Sequence, residues 1–455
     1  FTMTTLEELG LLKMDFLGLR TLTVIQNAVQ MARKKQPDLN IEKIDYNDQK
    51  VLDYIGTGKT DGVFQLESAG MKSFMKELKP HSLEDVIAGI SLYRPGPMDF
   101  IPQYIRGKND ASSITYDCPQ LKPILEPTYG CIVYQEQVMQ IVRDLAGYTL
   151  GRSDLLRRAM SKKKGDVMQK ERQIFVYGDE STNVPGCIKN GIDEKTANKI
   201  YDEMIDFAKY AFNKSHAAAY AVVAYQTAWL KYYYPVEFMA ALMTSVIENP
   251  SKVAEYIYAC RQMNIQILPP DINKGEADFS VDGGNIRYGL AAIKSIGRPV
   301  VRAMIEEREA FGPYKNLEDF ITRLSSKEAF NKRTIENLIK AGALDALGGT
   351  RKQFMSIYLQ IVEHVNQEKK YSMSGQMSLF DLVSEEQKSE FQIRMPDVGE
   401  YAKENLLAFE KEVLGIYVSG HPLEEYEEQW KKTISATTLD FQPDEESGRT
   451  KVRDG

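Results

Sequence analysis

The chain has 455 residues, of which 43% are hydrophobic, and its formal net charge is −7 at neutral pH. This length exceeds one ordinary domain and supplies enough apolar residues for several cores. The four cysteines lie far apart without a Cys-x-x-Cys pair, which argues against a disulfide framework and against a zinc site. We therefore expect a multidomain cytoplasmic protein with reduced thiols, and no apolar stretch is long enough to predict a membrane span.

Helical patterns dominate the first half of the chain. Apolar residues have helical spacing from Thr23 to Lys35, and helical patterns continue to about residue 240, interrupted by proline-rich turns at 95–102 and 123–127. The string GTGKT at 56–60 is similar to a phosphate-binding loop, but Asp53 stands where that motif requires its first glycine. We therefore assign no nucleotide site to this string.

Positive charge is concentrated between Gly147 and Lys164, whereas acidic residues concentrate near the end, at 424–428 and 444–446. On a helix, Arg157, Arg158 and the lysines at 162–164 would lie along neighbouring faces. Such a block suits a triphosphate or a nucleic-acid backbone. The alternative is a solvated basic helix end that complements the helix dipole, and the residues alone leave both interpretations open.

Basic and aromatic residues alternate at 207–234, FAKYAFNKSHAAAYAVVAYQTAWLKYYY, a pattern typical of surfaces that bind a nucleotide or a nucleic-acid strand. The basic residues are Lys209, Lys214 and His216. His216 follows three polar residues at a predicted helix start, where backbone N–H groups favour an anion, although a structural role is equally open. From 217 to 230 the segment is apolar nearly all round, so we expect most of its aromatic residues in the core.

The segment 288–308, YGLAAIKSIGRPVVRAMIEER, is similar to a helix-hairpin-helix motif, in which backbone N–H groups at a helix N-terminus contact a DNA phosphate. Gly297 and Pro299 suit the turn and the first helical position. Ser295 stands where the motif commonly has its first glycine, so a hairpin that only packs is the alternative. The candidate DNA contacts are Lys294, Gly297 and Arg298. A helical stretch at 331–347 is expected to complete this subdomain.

Five further strings occur in the order KMDFLGLRTL (13–22), DGVFQLESAGMK (61–72), SLYRPGPMDFIPQYIRGK (91–108), EPTYGCIVYQEQVMQI (126–141) and LPPDIN (268–273). Together with the two basic blocks, they resemble the C-family replicative DNA polymerases of bacteria, the DNA polymerase III alpha subunits. The resemblance extends over most of the chain. It implies a mainly α fold with small α+β parts, in several domains.

The domains implied by the resemblance are the C-terminal end of the palm at 1–25, the fingers at 26–240 and a helix-hairpin-helix region at 241–345. A clamp-binding region at 346–430 would follow, and then a linker and the start of an oligonucleotide-binding barrel at 431–455. The implied partners are primer-template DNA, deoxynucleoside triphosphates, the sliding clamp and other replisome subunits.

The resemblance also implies that a primer 3′ hydroxyl attacks the α phosphorus of a deoxynucleoside triphosphate, with two Mg²⁺ ions held by three aspartates. The single later aspartate of the family matches Asp15, which we expect as catalytic and metal-binding residue on the last palm strand. An aspartate buried in that apolar strand would need a cation or hydrogen bonds. No Asp-x-Asp pair occurs in the sequence, so we expect an internal fragment that is inactive by itself.

Fingers close over the incoming nucleotide, so the resemblance implies that their basic residues bind its triphosphate. These candidates are Arg152, Arg157, Arg158, Lys162, Lys214 and His216. For Arg94, in YRPGP, a structural role in a loop is favoured over phosphate binding. The string QMSLF lies in a polar segment without an obvious local core and resembles the clamp-binding motif of the family. Its contacts would be Gln376, Met377, Leu379 and Phe380.

Three other functions stay open at this point. A non-catalytic DNA- and clamp-binding module would bind primed DNA without incorporating nucleotides. A purely structural piece would show no salt-dependent DNA binding. A nucleoside triphosphatase would release free phosphate, but the failed phosphate loop argues against it.

Overall fold

The computed structural model describes residues 1–161, 165–208, 210–327, 330–373 and 394–436, together with Phe441 and Thr450. The chain divides into two compact units. We call Asn40–Tyr232 the helical unit, and Phe1–Leu39 with Tyr233–Gly455 the mixed unit.

The mixed unit begins with two helices, α1 (Met3–Glu8) and α2 (Arg20–Ala32). Helix α2 confirms the helix predicted at 23–35, although it begins three residues earlier. Residues 11–19 between the two helices have no regular secondary structure, and Phe16 and Leu17 are almost fully exposed. The expected last palm strand is therefore wrong for this structure. A strand needs a neighbour for its backbone hydrogen bonds, and the described residues offer none to this segment.

The helical unit contains eleven α-helices within its described residues, and many of them begin at polar caps. They are α3 (Gln49–Gly56), α4 (Ala69–Leu78), α5 (Leu83–Leu92), α6 (Ile101–Asn109), α7 (Lys122–Leu125), α8 (Gln135–Ala146), α9 (Leu150–Ser161), α10 (Gly165–Tyr177), α11 (Gly186–Lys189), α12 (Glu194–Ala208) and α13 (Lys214–Tyr233). Asp48, Ser68 and Ser82 accept backbone N–H groups at the starts of α3, α4 and α5.

Two apolar cores hold the helical unit together. One core joins α3, α4, α5 and α13, and the other joins α8, α9, α10 and α12. On α13 the alanines at 217, 221, 224 and 228 are all fully buried, so small side chains let this helix pack closely against its neighbours. Tyr225 on α13 is also buried, as predicted, but Tyr220 and Trp229 are only half-buried, so most of the aromatic residues at 217–230 are not fully in the core.

A buried ion pair lies beside the first of these cores. Lys108 Nζ is 3.0 Å from Asp85 Oδ2, and both side chains are nearly inaccessible, at 4% and 3%. Lys108 Nζ also donates to the carbonyls of Leu78 and Lys79, and Tyr129 donates its hydroxyl to Asp85. Burial lowers the pKa of Lys108. These contacts fix the end of α4 relative to α5 and α6.

The rest of the mixed unit combines helices with one small sheet. The helices are α14 (Pro235–Ser245), α15 (Pro250–Gln262), α16 (Arg298–Phe311), α17 (Leu317–Leu324), α18 (Lys332–Lys340), α19 (Arg351–Met373), α20 (Lys403–Leu414) and α21 (Glu427–Thr433). The strands are β1 (Ile267–Leu268), β2 (Ser280–Asp282) and β3 (Asn285–Arg287). Their order is β1-β3-β2, with β1 parallel and β2 antiparallel to β3.

The mainly α fold with a small α+β part is thus as expected from the resemblance. Helix α18 confirms part of the helical stretch predicted at 331–347. Among the described helices, none has a run of apolar residues long enough to cross a bilayer.

Candidate functional site

The starts of α8 and α13 lie side by side in the helical unit. Tyr134 and Phe212 form a parallel β-bridge. The Phe212 N–H donates to the Val133 carbonyl at 3.1 Å, and the Gln135 N–H donates to the Phe212 carbonyl at 2.9 Å. This short pairing brings the first turn of α8 next to the residues that precede α13.

Helix α13 begins where the polar run at 213–215 predicted a start. Asn213 Oδ1 accepts the His216 N–H at 2.8 Å and so caps the helix. The Glu136 carboxylate accepts the Lys214 N–H, with distances of 3.1 and 3.0 Å to its two oxygens, and the Asn213 side-chain amide at 3.0 Å. An internal carboxylate therefore occupies the position at which the sequence predicted an anion.

Lys214 and His216 lie at the surface beside this carboxylate. Lys214 Nζ is 3.1 Å from the Glu84 carboxylate and 5.2 Å from the centre of the Tyr134 ring. The exposed His216 ring lies 4.2 Å, centre to centre, from the Tyr220 ring. Both basic side chains are accessible enough to contact an anion from solvent.

Arg94 supports the same region from the loop after α5. Its guanidinium stacks 4.1 Å above the Phe212 ring, and its Nη2 donates to the Tyr210 carbonyl at 2.7 Å. Burial lowers the pKa of Arg94. Gly96 has φ 101°, and a Cβ there would lie 2.5 Å from the Tyr210 ring, so a glycine is required at this approach. These contacts agree with the structural role favoured for Arg94.

Arg157 on α9 reaches the first turn of α8. Its Nη1 donates to Gln135 Oε1 at 3.0 Å, and its Nε and Nη2 donate to Asp154 at 3.0 and 2.7 Å. Arg158 contacts the other oxygen of the same carboxylate at 2.8 Å, but its own side chain is 63% exposed. The hydrogen bond from Arg157 lowers the pKa of Asp154.

Arg152 faces in a different direction from Arg157. It makes a bidentate contact with Glu171 on α10, with distances of 3.0 and 3.2 Å from Nη2, and its guanidinium lies 5.0 Å from the Tyr148 ring. The Tyr148 hydroxyl donates to the same carboxylate at 2.8 Å. This cluster ties α9 to α10, which favours a structural role for Arg152.

Arg157 and the Lys214 backbone N–H thus each contact the first turn of α8, and His216 is exposed in the first turn of α13. We call these two helix starts, with Arg157, Lys214 and His216, the α8–α13 surface. Lys162 lies outside the described residues. Asp15 belongs to the mixed unit.

The Asp15 side chain is 63% exposed and lies 3.4 Å from the Lys13 ammonium group. Because the side chain is exposed, it needs no cation or hydrogen bonds to offset burial, and its metal-binding role stays a prediction. In the part of the chain that the structure describes, no three histidine, cysteine or acidic side chains cluster closely enough to hold a metal ion. Asp15 offers one carboxylate, and one carboxylate does not form a magnesium site by itself.

The hairpin before α16 has the predicted turn. Ser295 has φ 64°, the left-handed conformation for which the motif commonly has glycine, and Gly297 precedes the first residue of α16. Lys294 is exposed, and Arg298 is paired with Asp278 at 2.6 Å. DNA contact by Lys294, Gly297 and Arg298 stays a prediction. The clamp-motif residues 376–380 lie outside the described part of the chain.

Sequence reasoning missed Gln135 and Glu136 as parts of the surface. Their partners at 211–214 are more than 70 positions away in the chain, so no local pattern links them. The only available signal was a glutamine and a glutamate at the start of a helix within one of the recognised strings.

Two regions of the chain match models of known protein families. Residues 21–183 match the family model described as the bacterial DNA polymerase III alpha subunit finger domain, and residues 264–354 match a helix-hairpin-helix model. The chain is 45% identical over 436 residues to the DNA polymerase III subunit alpha of Borreliella burgdorferi, covering 96% of this chain and 37% of the relative.

Two other relatives carry the same name. The chain is 45% identical to the protein of Thermus aquaticus, and the match covers 94% of this chain and 34% of the relative. It is 42% identical to the protein of Escherichia coli K12, and that match covers 98% of this chain and 39% of the relative. The chain therefore spans little more than a third of the length of these curated relatives. With its finger domain and helix-hairpin-helix motif, the chain belongs to the family of bacterial DNA polymerase III alpha subunits.

Proposed function

We propose that this chain is part of a DNA-templated DNA polymerase, and that its α8–α13 surface binds the triphosphate of the incoming deoxynucleotide. The proposal rests on the contacts of Arg157 and of the Lys214 backbone N–H with the first turn of α8, beside the exposed His216 of α13. The finger-domain match and the names of the relatives support the same assignment.

The residues of the surface suit phosphate in complementary ways. The guanidinium of Arg157 would orient phosphate oxygens through paired N–H groups, whereas Lys214 would add a point charge. His216 stands exposed in the first turn of α13, where the helix dipole also favours an anion. Glu136 occupies part of this position, so a bound phosphate would have to displace its carboxylate or lie beside it.

In the proposed reaction a primer 3′ hydroxyl attacks the α phosphorus of the nucleotide, and pyrophosphate leaves. Asp15 would contribute one carboxylate to Mg²⁺ binding. Primer-template DNA would contact the hairpin before α16 through backbone N–H groups, and QMSLF would bind the sliding clamp. Other replisome subunits are further partners in this proposal.

The direct test is a titration of dATP with Mg²⁺ into this chain, monitored by calorimetry. Arg157→Ala and Lys214→Ala should each weaken binding by about tenfold, because each removes a charge-assisted contact. Arg143→Ala is the matched control, since Arg143 is an exposed arginine on α8 that is paired only with its neighbour Asp144 among the described residues. Unchanged affinity in both test variants would refute the surface assignment.

The second candidate function is a DNA- and clamp-binding module without catalysis. It is distinguished by salt-dependent binding of primed DNA together with an absence of saturable dATP binding. Clamp binding is tested separately by replacing Leu379 and Phe380 with alanine. We expect loss of clamp affinity with little effect on short primer extension by the complete subunit, and unchanged affinity would remove QMSLF from the proposal.

A further inference from the structure

The string YQEQ at the start of α8 has no assigned chemistry, yet Gln135 makes three hydrogen bonds at the α8–α13 surface. Its Oε1 accepts from Arg157 Nη1 at 3.0 Å, its Nε2 donates to the Ala211 carbonyl at 3.1 Å, and its backbone N–H donates to Phe212. We infer that Gln135 is a positioning residue that holds Arg157 beside the start of α13. The inference rests on the proposed function and deepens it.

The contacts of Arg157 explain why such a residue is needed. Asp154 orients the guanidinium, but it lies on the same helix and therefore cannot fix Arg157 relative to α13. Gln135 can, because it contacts both Arg157 and the segment that leads into α13. The hydrogen bonds to Asp154 and Gln135 use three of the five N–H groups of a guanidinium. Within the described contacts, Nη1 and Nη2 of Arg157 each keep one further N–H group. Phosphate oxygens can accept these two N–H groups.

The segment that carries Gln135 is itself held firmly. The neighbouring Gln137 is buried, its Oε1 accepts the N–H groups of Val133 and Tyr134 at 2.8 and 3.0 Å, and its Nε2 donates to Thr128 at 2.7 Å. A side chain that extends from such a fixed turn loses little additional freedom when it forms a hydrogen bond. Gln135 is therefore suited to transmit the position of α13 to Arg157.

A purely structural role for Gln135 makes different predictions. A structural residue would lower the melting temperature when replaced, and its effect on nucleotide binding would be independent of Arg157. A positioning residue acts through Arg157, so its effect should vanish once Arg157 has been removed. A double-mutant cycle between the two residues separates these roles.

The experiment measures the dissociation constant of dATP with Mg²⁺ for this chain, and the KM for dATP in primer extension by the complete subunit. Gln135→Met keeps the length of the side chain and removes its hydrogen bonds, and Gln135→Ala serves as the second variant. Both should weaken dATP binding by about five- to tenfold and raise KM more than they lower kcat. Gln140→Ala, which changes an exposed glutamine of α8, should leave both constants unchanged.

In the Arg157→Ala background, Gln135→Met should cause no further loss. Losses that multiply in the double variant, or wild-type affinity in both Gln135 variants, would overturn the inference while leaving the proposed function intact. Wild-type affinity of Arg157→Ala itself would instead show that the proposed phosphate contact is wrong, and the inference would then fail with it.

Discussion

Replacing Arg152 by alanine should lower the stability of the helical unit and leave nucleotide affinity nearly unchanged. The Arg152 and Glu171 side chains are only 18% and 16% exposed, so the variant would leave a largely desolvated carboxylate with the Tyr148 hydroxyl as its remaining described partner. Breaking a fully buried pair costs about 3–5 kcal/mol and an exposed pair about 0–1 kcal/mol. We therefore expect a loss of about 2–3 kcal/mol.

For a domain of this size, that loss corresponds to a decrease of about 5–10 °C in melting temperature. Calorimetric unfolding measures it, and a dATP titration of the same variant measures the affinity. The double variant Arg152→Ala with Glu171→Ala should recover part of the stability, because it also removes the uncompensated carboxylate. An Arg152→Ala protein that melts like wild type but binds dATP about tenfold more weakly would show that Arg152 is a phosphate ligand.

Three further variants test other parts of the structure. Lys108→Met should destabilise the helical unit by about 3–5 kcal/mol in urea unfolding, because it leaves the Asp85 carboxylate buried without its cation. Ser295→Gly should stabilise the mixed unit by about 0.5–1 kcal/mol, since glycine adopts φ 64° without strain, and a less stable variant would contradict this. Asp15→Asn should abolish primer extension by the complete subunit without changing the melting temperature of this chain, because its side chain is exposed; near-normal extension would remove its metal role.

The parts of the fold that sequence predicted best depend on local interactions. The start of α13 could be predicted because Asn213 accepts the N–H of His216, only three residues further along the chain, and so caps the helix. The turn before α16 could be predicted from Gly297 and Pro299. The palm strand predicted around Asp15 is absent from the described residues 11–19, because a strand acquires its hydrogen bonds from a neighbouring strand and not from its own residues. Asp15 therefore lies on an irregular, exposed segment in this structure.

The cationic residues show most clearly what a single sequence leaves open. Arg152 and Arg157 are five positions apart on one helix, and both were predicted to bind the triphosphate. Only their partners distinguish their roles. Arg152 pairs with Glu171 on α10, whereas Arg157 donates to Gln135 on α8. Since an ion pair held within the protein and a cation directed at a ligand require the same residue type, the difference resides in the tertiary contacts. Gln135, which carries no charge, is for this reason the more informative residue of the surface.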